Sequence, residues 1–245
     1  MAWQAKKSFG QHALHDKKVA KKLVEALPVV KGERVVEVGP GEGALTQHVF
    51  DLYNSSAVTL VEADQDLFED LTDRFPEADL IKGDAALVDY GQFSESWHFL
   101  SNLPYNASAA ILKQVFITQT TLKSAVIIAQ KEQAQRMLAP AGEMSMLSLS
   151  TQLYASGKKL FDIAPGSFNP PPNVESRAIL LTPKERQGDE EAILEFARAA
   201  FHERRKQLKK TLAVAHELDS EAIGKVLVEN GLTAPARPQE LSTEN

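Results

Sequence analysis

Arg34-Val35-Val36-Glu37-Val38-Gly39-Pro40-Gly41-Glu42-Gly43 reads as a buried strand running into a glycine-rich turn, with a helix from Ala44 to about Leu52. Strand, glycine turn and helix make a nucleotide-binding corner. Glycines such as Gly39 and Gly41 let a ligand approach the backbone closely. A helix N-terminus adds free N–H groups. Taken alone, the glycine turn is a weak signal, since a tight strand-to-helix connection with no ligand shows the same pattern.

The next strands tip the balance. Ala57 to Val61 ends in Glu62, about 20 residues past the glycines, where an acid accepts hydrogen bonds from both ribose hydroxyls. Asp79 to Lys82 ends in Gly83-Asp84-Ala85; Asp84 suits the amine of an adenine, with Ala85 near its ring. Trp97 to Leu100 is a fourth apolar run. Asn102-Leu103-Pro104-Tyr105 follows it, and then a helical stretch from about Ala107 to Phe116. In open α/β sheets ligands bind at the carboxyl ends of strands. The Asn102 amide oxygen and the Leu103 carbonyl are both acceptors for an exocyclic amine. The Tyr105 face offers base stacking of roughly 1–3 kcal/mol. A plain turn favoured by Asn and Pro is the alternative.

Lys123 to Ala129 reads as a fifth strand and Gln130 to Leu138 as a helix. Pro140 and Gly142 mark a loop, and moderately apolar Ser148 to Tyr154 leads into Lys158 to Ala164. Three prolines in Phe168-Asn169-Pro170-Pro171-Pro172 enforce an extended backbone. Ala178 to Leu181 is a further strand, and the polar Pro183 to Asp189 is a linker. The expected division is 1–185, a catalytic domain, and 186–245, a helical one. In the latter, Ile193, Ala197, Ala200, Phe201, Leu208 and Leu212 form one helical face. His202, Arg205, Lys206, Lys209 and Lys210 project from another, within about 140° of arc. Arg204 falls on the apolar side, as a structural ion-pair residue. A second helix is expected over Ser220 to Asn230.

At the other end, Asp16 is a helix N-cap candidate, and Val19, Ala20, Leu23, Val24 and Leu27 share one apolar face. Lys17, Lys18, Lys21 and Lys22 lie off it, preceded by Lys6 and Lys7. These basic faces are either solvated surfaces or phosphate contacts.

The sequence has 245 residues, 43% of them hydrophobic, which fills a sizeable core. No apolar run approaches the ~18 residues of a membrane span. There are no cysteines, which excludes disulfides, thiolate metal sites and a cysteine nucleophile. The net charge of −6 argues against indiscriminate nucleic-acid binding without excluding a local basic surface. A soluble cytoplasmic protein is the simplest expectation.

Taken together, the motifs resemble the ribosomal RNA adenine N6,N6-dimethyltransferase family. Phe9-Gly10-Gln11 with Leu14 resembles its N-terminal cofactor motif, Glu37 to Thr46 its glycine motif, and Asn102 to Asn106 its catalytic motif. Gln130-Lys131-Glu132, Phe168 with the prolines, and Arg204-Arg205-Lys206 also match, so the resemblance runs from about Lys7 to Ser242. It implies a class I methyltransferase, Rossmann-like fold: a mainly parallel seven-stranded sheet with one antiparallel strand, helices on both faces, and a small all-α C-terminal domain that binds RNA. It implies S-adenosylmethionine as donor and no metal. Gln11, His12 and Leu14 would flank the methionine end, and Gly39 and Gly41 would lie against the cofactor. Glu62 would hold the ribose, and Asp84 and Ala85 would meet the adenine. Asn102, Leu103, Pro104 and Tyr105 would form the catalytic loop, with Asn102 reaching both the cofactor and the target amine. Tyr105 would stack on the target base, Phe168 would cover its other face, and Arg205, Lys206, Lys209 and Lys210 would bind RNA.

The implied substrate is adenosine in small-subunit ribosomal RNA within a precursor subunit, dimethylated by a monomer. Arg204-Arg205-Lys206 and Leu103 favour that branch over the large-subunit, macrolide-resistance one. Two further alternatives are a dinucleotide-dependent oxidoreductase and a non-catalytic ribosome-assembly or transcription factor. The family usually has Asn where His12 stands, an aromatic at Ala13 and a larger apolar residue at Ala107. Its C-terminal domain usually continues with another helix beyond the stretch like Arg237 to Ser242; a trimmed chain and a naturally reduced RNA-binding domain are the two expectations for the difference.

Overall fold

The computed structural model describes residues 12–53, 58–104, 107–118 and 121–243. The expected site residues Gln11 and Tyr105 lie outside them.

The first compact unit runs to Ala134 and takes in Lys158–Pro183. Its sheet begins with β2 (Arg34–Val38), β3 (Val58–Glu62) and β4 (Asp79–Lys82). It continues with β5 (Trp97–Asn102), β6 (Leu122–Gln130), β7 (Ala155–Ile163) and β9 (Ser176–Pro183). Their spatial order is β4-β3-β2-β5-β6-β9-β7. β2, β3, β4, β5 and β6 pair in parallel, and β9 runs antiparallel to β6. This is the expected class I methyltransferase sheet. The chain leaves β2 for β3 and β4, then returns to β5 on the other side. The order reverses between β2 and β5, which opens a crevice at their carboxyl ends.

The strands are continuous apolar runs because both faces are covered. On one face Val35, Leu60, Leu100, Val126 and Ile128 pack with Ala20, Leu23 and Val24 of α1 (Lys17–Glu25). Leu45 and Val49 of α2 (Ala44–Leu52) and Leu71 of α3 (Gln65–Arg74) join them. The alternate residues Val36, Phe99 and Ile127 point the other way and are equally buried. On that face Tyr90 stacks on Trp97, with ring centroids 5.7 Å apart. α4 (Ser108–Thr118) buries Ile111, Leu112 and Val115 and donates Gln114 Nε2 to the Val88 carbonyl. Each such fully buried aliphatic side chain contributes roughly 1.5–3 kcal/mol.

Asp16 caps α1 as expected, accepting from the Lys18 and Val19 N–H groups. Just before it, β1 (Ala13–Leu14) pairs antiparallel with β8 (Phe168–Asn169), Leu14 opposite Phe168. The His15 N–H reaches the Ser167 carbonyl at 3.0 Å.

The second unit comprises Gln135–Gly157 and the chain from Lys184 on. α6 (Met146–Tyr154) belongs to it by packing: Met144 and Leu149 bury against Ala197 and Phe201 of α7 (Glu190–His202). A boundary at 185 leaves α6 with the sheet in sequence, whereas its core partners lie beyond that boundary. α8 (Leu208–His216) and α9 (Ser220–Glu229) bury Leu208, Leu212 and Leu227 together.

Here the structure corrects one expectation. The single basic helix face through His202, Arg205, Lys206, Lys209 and Lys210 does not exist, because the helix breaks between His202 and Leu208. Gln207 is extended, with φ −66° and ψ 134°, and the Leu208 N–H donates to the Ala236 carbonyl at 2.8 Å instead of continuing a helical ladder. Arg205 and Lys206 therefore sit in a connection, and Lys209 and Lys210 on α8. Lys209 is 19% exposed in its side chain, reaches Glu221 at 3.8 Å and lays its stem beside Gly224. Arg204, expected as an ion-pair residue, is exposed and donates to the Met144 carbonyl at 3.4 Å.

Candidate active site

A cavity of about 340 Å³ opens where the strand order reverses. Four strand ends and β1 supply its walls: Gly39 and Gly41 after β2, Glu62 on β3, Asp84 and Ala85 after β4, and Asn102 to Pro104 at β5, with His12 and Leu14 above. Every described residue expected at the cofactor is thus in one cavity. The Ser101 hydroxyl donates to the Val38 carbonyl at 2.7 Å, tying the ends of β5 and β2 together at its base.

The glycine turn is required by geometry. Gly39, Gly41 and Gly43 have φ of 64°, 57° and 74°. A side-chain carbon at Gly43 would also lie 2.8 Å from the Phe75 ring, which is itself stacked on Phe50. At Gly39 and Gly41 an added carbon meets nothing within 4 Å, so that backbone stands open to the cavity.

Glu62 is 4% exposed and accepts N–H groups from Ala63 and Asp64 at 2.9 Å and from Gly41 at 3.4 Å. Burial raises its pKa, and those donors oppose the rise. An acid aimed into the cavity and braced by three donors suits a pair of hydroxyls. Asp84 is exposed, with Oδ1 accepting the Ala86 N–H. The Ala85 carbonyl is fixed by the Tyr90 hydroxyl at 3.0 Å.

Asn102 is the last residue of β5, which runs two residues further than the apolar pattern alone indicates. Its Nδ2 donates to the His12 carbonyl at 2.8 Å. That bond sets the amide so that Oδ1 is the acceptor on its other branch. His12 Nδ1 in turn donates to the Pro170 carbonyl at 2.7 Å, so His12 bridges the proline segment and the end of β5. Leu103 is 1% exposed, which leaves its backbone as the group it offers. Phe168 departs from expectation. It is 2% exposed in the core with Leu14, Leu23 and Ile163, because β8 pairs inward with β1. It is a packing residue here, and covering a base would require its ring to leave that core.

Residues 2–241 match the family model described as ribosomal RNA adenine dimethylase. The chain belongs to the ribosomal RNA adenine dimethylase family. A protein of Pseudomonas savastanoi pv. phaseolicola named ribosomal RNA small subunit methyltransferase A is 34% identical, over 97% of this chain and 90% of its own length. One of that name from Bordetella pertussis is 36% identical over 86% of this chain and 82% of its own. Among solved structures, a dimethyladenosine transferase from Plasmodium falciparum superposes with a TM-score of 0.77 at 23% identity, over 95% of this chain and 94% of that one. The 23S rRNA methyltransferase ErmE gives 0.75 at 20%, over 95% of both chains. At those identities the two structures speak for the fold.

Sequence reasoning gave no site role to one buried acid of this adenine dimethylase cavity. Glu37, a strand residue in an apolar run, lines it at 1% exposure and accepts the Thr46 hydroxyl at 2.7 Å. The signal was an acid at an otherwise hydrophobic position. Burial pushes its carboxyl up to about 8, against the Thr46 hydrogen bond and with the nearby Glu62 charge. A carboxyl whose folded pKa is raised contributes stability below its ordinary value of 4.5, lost as pH rises to about 8. The carboxylates with lowered values, Asp16, Glu33, Glu95, Asp162 and Glu190, act below that window and with the opposite sign. Unliganded protein should therefore lose thermal stability between pH 4.5 and about 8, by at most about 1.4 kcal/mol per pH unit from Glu37. Glu37→Gln should flatten much of that slope in melting curves. An unchanged slope would show that Glu37 is ionised throughout.

Proposed function

We propose that this chain binds S-adenosylmethionine in the 340 Å³ cavity and methylates N6 of adenosines in small-subunit ribosomal RNA, dimethylating adjacent ones during ribosome biogenesis. The observation that carries the reading is Asn102. Its amide is held by His12 at the end of β5 and faces the same cavity as Glu62 and Asp84. The cofactor fits the donor set: a buried acid for ribose, an open positive-φ backbone for the methionine end, and Asp84 and Ala85 for the adenine.

When bound, the cofactor supplies an electrophilic methyl group on a sulfonium. Asn102 Oδ1 and the Leu103 carbonyl accept the two hydrogens of the target amine and favour a pyramidal nitrogen whose lone pair faces that methyl. Tyr105 stacks on the base, which must leave any stack to enter. Transfer of that methyl to nitrogen would break its bond to sulfur and leave a neutral thioether, so positioning by Asn102 and Leu103 would carry most of the rate and no strong base is needed. The proton leaves to solvent.

The relatives' name supports small-subunit RNA over the large-subunit alternative. Glu62, Asp84 and Asn102 gathered in one cavity support catalysis over a purely binding role. A cytoplasmic monomer fits this substrate, and no helix among the described residues is long and apolar enough to cross a membrane. Incubation with labelled S-adenosylmethionine and immature small ribosomal subunits should label adjacent adenosines at N6. Label confined to large-subunit RNA, or no label with cofactor bound, would overturn the reading.

A further inference from the structure

Four lysines of α1 break the rules of helix electrostatics. Lys17, Lys18, Lys21 and Lys22 are all exposed, opposite the buried Ala20, Leu23 and Val24. Lys17 and Lys18 occupy the first turn, where the helix dipole is positive and no acid is present. Lys17 with Lys21, and Lys18 with Lys22, are like-charged i,i+4 pairs, which repel. The nearby acids give little relief. Asp16 is taken up by the Lys18 and Val19 N–H groups and the Ser167 hydroxyl. Glu25 reaches only Lys21, at 3.8 Å, with both side chains about half exposed. Among the described residues no carboxylate lies within 4.0 Å of Lys17, Lys18 or Lys22.

In the second unit two lysines are paired with acids, whereas Arg205 and Lys210 are exposed with no carboxylate within 4.0 Å among the described residues. Lys206 lies 2.8 Å from Glu203 and Lys209 3.8 Å from Glu221. On the first unit, Lys22 sits 4.1 Å above the Phe161 ring, which places the lysine face beside β7. Lys159 shares that side of β7 but is paired with Asp162 at 2.9 Å. On this side of the first unit the open charge is therefore on α1.

Its place is as telling as its charge. His12, Ala13 and Leu14 line the cavity, and only His15 and the capping Asp16 separate Leu14 from Lys17. Repulsion stored at the rim of a site, in a chain of net charge −6, is a local conflict of the kind that marks function. The two rows, one turn apart, are separated by about 6 Å along the axis, a ladder of cations leading away from the rim.

We propose that the lysine face of α1 grips the phosphates of the RNA strand leading to the target adenosine. The proposal rests on the RNA reading above and adds to it the surface, on the first unit, that carries the non-specific part of binding. Bound phosphates remove the repulsion that the free helix bears, so binding and helix stability are coupled.

The test is Lys17→Gln/Lys18→Gln/Lys21→Gln in the full chain, with Lys22 kept for its ring contact. Binding to transcribed small-subunit ribosomal RNA should weaken. The slope of log affinity against log salt should become shallower by roughly 2 units, at ~0.7–0.9 for each phosphate no longer neutralised. S-adenosylmethionine affinity should be unchanged, and the melting temperature equal or higher, because repulsion has been relieved. Wild-type RNA binding with an identical slope in the variant overturns the proposal and leaves the methyltransferase reading intact. Wild type that binds no RNA overturns both, and does so before any substitution is made. A loss seen with assembled small subunits and not with naked RNA also overturns it, since the partner would then be an acidic protein surface.

Discussion

Asn102→Ala is expected to remove nearly all methylation, on the order of 10²-fold or more in single-turnover rate, while cofactor affinity falls much less. In the proposed mechanism the side chain has two functions at once. Its Nδ2 holds the His12 carbonyl at 2.8 Å, and its Oδ1 is left to accept from the amine. Alanine removes the acceptor and releases β1 from the end of β5, so the amine loses both its orientation and its boundary. Glu62, Gly41 and Asp84 lie on other strand ends and are untouched, which is why cofactor binding should largely survive. Tyr105 provides the comparison. Tyr105→Phe keeps the ring face and should retain most activity. Tyr105→Ala should lose an amount matching roughly 1–3 kcal/mol of stacking. The expected order of rates is wild type, Tyr105→Phe, Tyr105→Ala, Asn102→Ala. A fully active Asn102→Ala would reduce Asn102-Leu103-Pro104-Tyr105 to a strand-to-helix turn. Equal damage from both Tyr105 variants would replace stacking by a role for the hydroxyl.

The parts of this molecule legible in its sequence are those fixed by local chemistry. Gly43 must be glycine because its φ is 74° and Phe75 fills the space beside it, and strand, turn and helix follow around it. Glu62, Asp84 and Asn102 could be read because parallel strands bring successive carboxyl ends to one edge, whatever the sheet's detailed packing. The illegible parts depend on distant contacts. Apolar residues stay in helical phase from Phe201 to Leu208, seven positions apart, so periodicity gives no sign of the break between them. The break is set by the Ala236 carbonyl, which takes the Leu208 N–H. Phe168 was legible as a motif residue, but its burial follows from the pairing of β8 with β1, across most of the chain. Glu37 stood out only as an acid among valines in the glycine motif; its place in the cavity follows from the fold.

Glu62→Ala should weaken S-adenosylmethionine binding by roughly 1–3 kcal/mol, about 5- to 150-fold in Kd, because buried ribose hydroxyls would lose a charged acceptor. The carboxylate also accepts from the Gly41, Ala63 and Asp64 N–H groups. Its removal therefore leaves three donors to find water and loosens the turn that the cofactor lies on. Glu62→Gln keeps an acceptor oxygen and the shape while removing the charge, so it should fall between wild type and alanine. Calorimetry with S-adenosylmethionine and with NAD on the same protein separates the two nucleotide readings of the glycine corner. Both ligands carry a ribose that an acid at β3 would hold, so Glu62 alone does not choose between them. Nor does Asp84, since both carry an adenine; Asn102 does, because it places an acceptor for a target amine at the end of β5, in the same cavity of about 340 Å³. S-adenosylmethionine should bind and NAD should not compete. Tighter binding of NAD would sink the methyltransferase reading, and an affinity unmoved by Glu62→Ala would take Glu62 out of the site even if that reading stood.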